Sequence, residues 1–289
     1  MNADCVWRFL FDDLDIVGAF VSLGPVWGKL LENRDYPAAV ARLLGEMSVT
    51  CLLLGGNLKQ PGRLTIQLRG NGPVSLLIID CDENLQIRGM ARCPSQVVDG
   101  SVQKLFGDGQ LLLSLDMPSM REPYQSIVPL DGDSIATVFE HYLMQSVQSP
   151  ARFFLAASGK AIAGLMLQKL PAADQHDTDG WARVEALAAT VKQSELLALP
   201  AAELLGQLFP QETVRLFPPT TVVHNCPEDW HKVRALLRSL GPGEVYAILR
   251  EHGAVVIQDD ICNREYRFDA PAIDELFRDT SATPPRTLH

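Results

Sequence analysis

Residues 63–92, RLTIQLRGNGPVSLLIIDCDENLQIRGMAR, decide the fold class. Apolar residues come in short alternating runs. Gly-Asn-Gly-Pro and Asp-Glu-Asn interrupt them at the spacing of tight turns, which predicts strand, turn, strand, turn, strand. Downstream, KLFGDGQLLLSLD (104–116) and YQSIVPLDGDS (124–134) repeat the pattern with Gly-Asp-Gly and Asp-Gly turns. SIATVFEHYLMQS (134–146) returns to helical spacing, and RFFLAA (152–157) with AIAGLMLQKLP (161–171) predicts one more hairpin. Upstream, residues 15–23 read as a strand. Pro25 suits a first helical turn, and Pro37 opens a helix that runs to about Leu58. Its apolar residues crowd more than one face, as in a central buried helix. Helices interrupting an antiparallel meander define an α+β domain over residues 1–173.

Residues 170–180, LPAADQHDTDG, lack apolar spacing and mark a linker covering 174–220. Within it, WARVEALAATVKQSELLAL (181–199) sets Trp181, Val184, Leu187 and Val191 on one face of an amphipathic helix, and PAAELLGQLF (200–209) adds a second helix. A C-terminal module follows at 221–275: turn, helix, Gly-Pro-Gly break, helix, short strand, Cys-Asn knuckle, strand. Residues 276–289 are expected to be a disordered tail.

The chain has 289 residues and a formal net charge of −10. An acidic chain without a basic run argues against nucleic-acid or anionic-membrane partners. The most apolar stretch, residues 38–56, contains Arg42 and Glu46, costly in a bilayer, and reads as a core helix. Gly-x-Ser-x-Gly, Gly-Lys-Ser/Thr and His-Glu-x-x-His are absent, so no standard catalytic signature points to an enzyme. Six cysteines (5, 51, 81, 93, 226, 262) show no framework spacing. Cys51 and Cys81 read as buried thiols of a reducing cytosol. Within DDICNREYRFD (259–269), Asp259 stands where a zinc knuckle would have its other cysteine.

The segments LLENRDYP (30–37), LTIQLRGNGPVSLLII (64–79), IRGMAR (87–92), FGDGQLLLSL (106–115), YQSIVPLDGDSIATVFEHYLMQS (124–146), GLMLQKLP (164–171) and CNREYRFD (262–269) together resemble the redox-regulated bacterial 33-kDa heat-shock chaperone family, in family order and spacing. The resemblance implies a cytoplasmic, ATP-independent holdase that binds unfolding client proteins. It implies a homodimer formed through the N-terminal domain, a client-binding linker around Trp181, Val184, Leu187 and Val191, and a C-terminal module in which four thiolates hold one zinc. In the family, oxidation forms two disulfides, expels the metal and unfolds module and linker.

This chain departs from that pattern. Alignment through VRALLRSLGPGEV (233–245) and CNREYRFD puts Cys226, Glu228, Asp259 and Cys262 at the four ligand positions. Two expectations stand side by side. Zinc could sit on this Cys-Glu-Asp-Cys set, with His224 or His231 as substitute ligands, or the module is metal-free with solvated carboxylates. Cys226 and Cys262 could form one bridge if their Cα atoms lie within about 7 Å. On either expectation the two-disulfide switch is altered. The alternative from another class is a zinc-ribbon-like regulatory or nucleic-acid-binding protein on an α+β scaffold.

Overall fold

In the computed structural model, which describes residues 4–278 except 57, 59, 172 and 174–176, the N-terminal strand Cys5–Phe11 (β1) pairs antiparallel with Ile16–Leu23 (β2). The sequence pattern predicts only the second of these. Helices Pro25–Leu31 (α1) and Ala38–Gly55 (α2) follow, with Pro25 in the first turn of α1. The decisive stretch forms Arg63–Arg69 (β3), Leu76–Cys81 (β4) and Gln86–Arg92 (β5), paired in sequence order as the turn chemistry predicts. Val102–Phe106 (α3), Gln110–Asp116 (β6) and Tyr124–Pro129 (β7) come next. Ile135–Ser146 (α4) opens on a capping box, Ser134 and Thr137 satisfying each other's backbone N–H groups. Ala151–Ala157 (β8) and Ile162–Lys169 (β9) make the expected hairpin.

Three short helices then succeed one another: Gly180–Ala188 (α5), Gln193–Ala198 (α6) and Ala201–Leu208 (α7). The first of the two expected linker helices is broken at 189–192, where Glu195 reaches back to the Lys192 backbone N–H and starts a new helix. Strands Val214–Leu216 (β10), Thr220–Thr221 (β11) and Val223–His224 (β12) close this part of the chain. The C-terminal part comprises Trp230–Leu240 (α8), Pro242–His252 (α9), Val255–Asp259 (β13), Arg264–Phe268 (β14) and Ala270–Arg278 (α10).

The chain divides into two compact units, Met1–Asn225 and Cys226–His289. The expected boundary at 220/221 moves because β11 pairs with β1, and β12 pairs in parallel with β5, so both strands belong to the first unit. Residues 276–278, expected to be part of a tail, belong to α10, which buries Ile273 and Leu276. Residues 279–289 lie outside the described residues, as do three of the expected linker residues, 174–176.

Two six-stranded sheets build the first unit. One runs β10-β1-β2-β9-β8 with β11 beside β1, and the other runs β12-β5-β4-β3-β6-β7. Helix α2 packs against strands of both. Its composition and length would suffice to span a bilayer, yet 72% of its apolar window is buried inside the protein. That burial explains why its apolar residues are not confined to one face. Glycines allow the close approach: a Cβ on Gly164 of β9 would collide with Val49, and one on Gly45 would come within 2.7 Å of Ile162 Cγ2.

Candidate functional site

The first sheet is apolar on both faces. Alternate residues of β2 divide between two cores: Ala19, Val21 and Leu23 face α2, while Ile16 and Phe20 face away from it. On the far side Phe9 and Phe11 of β1 join Leu165 and Leu167 of β9. Covering both faces removes the polar residues that normally alternate along an antiparallel strand, hence the continuous runs IVGAFVSL and IAGLMLQK.

Helices α5–α7 cover that far face. Val184, Ala188, Leu196, Ala201, Leu204, Leu205, Leu208 and Phe209 are buried against it, with Trp181, Leu187 and Val191 packed at its margin. The expected stripe of Trp181, Val184, Leu187 and Val191 is thus brought onto the sheet, with Val184 at its most buried point. Phe209 meets Phe11 edge to face with ring centroids 4.9 Å apart. These helices have nine, six and eight residues. Isolated helices shorter than about 12–15 residues are marginal in water. Their helicity therefore depends on docking, and undocking and unfolding become one event.

Polar fastenings at the edge escaped the sequence reading. Arg152 of β8 donates from Nε to Glu185 of α5 at 2.6 Å and from Nη1 to Glu140 of α4 at 3.4 Å. Burial raises the Glu140 carboxyl above its ordinary range, opposed by the Phe153 N–H it accepts and by Arg152. Arg183 holds Glu212 at 2.7 Å and Asp177 at 2.9 Å. A cleft of about 320 Å³ lies between β8 and α6, with Glu46, Phe154, Val191 and Leu196 on its walls. Burial raises the Glu46 carboxyl as well, partly offset by Arg42 at 3.2 Å. The Arg152–Glu185 and Arg183–Glu212 contacts join residues 33 and 29 positions apart, so no local pattern announces them.

In the second unit, Cys226 and Cys262 are joined by a disulfide with Cα atoms 5.5 Å apart. Asn263, next to Cys262, takes φ 48°, the left-handed conformation that makes the knuckle. The other two aligned positions serve local structure. Asp259 Oδ1 accepts the backbone N–H groups of Ile261 at 3.1 Å and Cys262 at 3.2 Å. Glu228 Oε2 accepts the Trp230 indole N–H at 2.8 Å, and Oε1 lies 4.0 Å from Arg264 Nη1. Trp230 packs edge to face on Tyr266 and Phe268, while the Tyr266 hydroxyl accepts the Asp229 N–H. Val233, Leu237, Val245, Val255, Ile273 and Leu276 complete a small core.

With the bridge closed, these residues do not form a zinc site. The two sulfurs are bonded to each other rather than free as thiolates, and one carboxylate faces a guanidinium. Among the described residues no group of three or more His, Cys, Asp or Glu is arranged to hold a metal ion. Neither histidine expected as a substitute alters this. His231 is exposed in the first turn of α8. His224 belongs to β12 in the first unit, where burial and then Lys29 and Arg34 lower its imidazole pKa. Cys51 and Cys81 are buried free thiols, as expected.

A helix-capped sheet unit followed by a small helix-and-hairpin module is also the fold of the 33 kDa chaperonin from Thermotoga maritima. The crystal structure of that protein aligns with a TM-score of 0.84 at 19% identity, over 97% of this chain and 100% of that one. The family described as Hsp33 protein matches residues 4–269. The 33 kDa chaperonins of Shewanella loihica (38% identical, covering 96% of this chain and 97% of that protein) and Vibrio cholerae (37%, 100% of each) are similar along their whole length. The chain belongs to the Hsp33 family, whose members are chaperones and not enzymes.

Proposed function

We propose that this chaperone is an ATP-independent holdase of the cytoplasm that keeps unfolding proteins from aggregating. In this reading it works as a homodimer formed through the first unit, and its gate is the undocking of α5–α7 from the first sheet. The observation that carries the reading is a sheet face of Phe9, Phe11, Ile16, Phe20, Leu165 and Leu167 covered by helices too short to persist alone. Undocking would expose two complementary apolar surfaces at once, the sheet and the melted linker. Large apolar patches take up unfolded chains without sequence specificity.

The trigger, in the same reading, is altered from the family's. With no fit for zinc, oxidation has no metal to expel. Closing the Cys226–Cys262 pair tightens the module, so gating falls to temperature acting on the linker. Purified protein without nucleotide should suppress light scattering from a thermally unfolding client at near-stoichiometric ratios. Failure to suppress under every combination of temperature and redox state contradicts the proposal.

A further inference from the structure

The cleft between β8 and α6 is walled partly by the body of the first unit and partly by the linker. Glu46 of α2, Ala136 of α4 and Phe153 and Phe154 of β8 supply the fixed side, and Val191 and Leu196 supply the linker side. Its volume of about 320 Å³ falls at the lower end of the range of ligand pockets, about 300–1,000 Å³. The walls are apolar apart from Ser134, Gln193 and Glu46, and Glu46 is the one ionisable residue among them. Its side chain is only 12% exposed.

Glu46 has an incomplete counter-charge. Arg42 pairs with it at 3.2 Å, but the same guanidinium also holds Asp99 at 2.6 Å. Two carboxylates thus share one cation, and the group is left net negative. Lys192 stands in the chain between Val191 and Gln193, which line the cleft, yet its side chain is 76% exposed and pairs with Glu195 at 3.9 Å. It is a solvent-facing cation and does not neutralise Glu46. A carboxylate withdrawn from water with a shared partner is costly to keep ionised. An ammonium group would relieve that cost, since it donates hydrogen bonds to a carboxylate and is favoured beside aromatic rings such as those of Phe153 and Phe154. An apolar tail matches the remaining walls.

We propose that this cleft is an effector site for small primary amines with an apolar tail, and that filling it holds the linker helices on the sheet. A ligand that touches both the body and the helices finds its full site in the docked state alone, so its binding shifts the equilibrium toward docking. The site stands on the chemistry of the cleft, and its effect on client binding rests on the gate reading above.

The test uses the full chain, with 2-phenylethylamine as probe and 2-phenylethanol as its neutral control. In titration calorimetry the amine should bind saturably and the alcohol should not. Glu46→Gln, which keeps the shape of the side chain, should weaken amine binding roughly 10–100-fold. At about 100 times its dissociation constant the amine should favour the docked helices by about 100-fold. Hydrogen exchange at Gln193–Ala198 should slow accordingly in the unmutated protein, remain unchanged in Glu46→Gln, and the onset of client suppression should move to higher temperature.

Equal binding of amine and alcohol overturns the inference, as does amine binding that Glu46→Gln leaves intact or that leaves exchange at Gln193–Ala198 unchanged. Slowed exchange with an unmoved onset of suppression upholds the site and contradicts the linker gate instead, which separates the two proposals.

Discussion

Breaking the Cys226–Cys262 bridge should loosen the C-terminal module. The perturbation is mild reduction, or Cys226→Ser. The closed loop spans a sequence separation of 36, and loop-closure entropy for that length gives about 3.8 kcal/mol. That corresponds to roughly 500-fold in the folding equilibrium of the module. The unit Cys226–His289 falls within the size range, below about 70 residues, where one core supplies only ~3–5 kcal/mol. The bridge is therefore comparable to everything else that holds this unit together. A domain of this size loses about 15–30 °C in melting temperature for such a change. Hydrogen exchange of the full chain, read at Val255–Asp259 and Arg264–Phe268, is the assay. Protection there should collapse on reduction and return when peroxide takes two electrons and two protons from the thiols, forming the bridge and water. If peroxide instead speeds exchange in these two strands, oxidation unfolds the module and the reasoning is refuted.

Arg152→Glu places three carboxylates together at the α5 edge in place of an Arg between two. At this exposure the lost pairing is worth about 1 kcal/mol, so calorimetry should show linker release about 2–4 °C lower. Leu205→Ala removes a buried side chain of α7 from the covered face. Undocking should become easier by about 2–4 kcal/mol, and client suppression at moderate temperature should rise while the melting of the second sheet is unchanged. Glu46 has its folded-state carboxyl pKa raised by burial. Its stabilising contribution is then full below the ordinary carboxylate range and is lost as pH rises through the raised value. Glu46→Gln should accordingly stabilise the first unit near neutral pH, with the difference shrinking toward pH 4 in thermal melts.

Much of this architecture is legible in the sequence, for identifiable reasons. Turn residues punctuate β3–β5 and alternation carries their faces, so local chemistry alone places three adjacent strands. The strand β1 escaped because a sheet covered on both faces shows little alternation, and VWRFLF is ambiguous without its partner. The linker break at 189–192 was hidden because docking on the first sheet, and not an amphipathic period, decides which turns survive. At the C-terminal knuckle, the family resemblance marked Cys226, Glu228, Asp259 and Cys262 but not which of them pair. The bridge depends on a Cα separation, and the use of Glu228 by Trp230 and Arg264 depends on packing around Tyr266.

The central claim is that undocking of α5–α7 creates the client-binding surface. Hydrogen exchange over residues 184–208, followed through a temperature ramp alongside suppression of client light scattering, tests it most directly. Loss of protection in these helices should coincide with the onset of suppression, precede melting of both sheets, and occur at the same temperature with or without peroxide. Full suppression while residues 184–208 remain protected would contradict the claim.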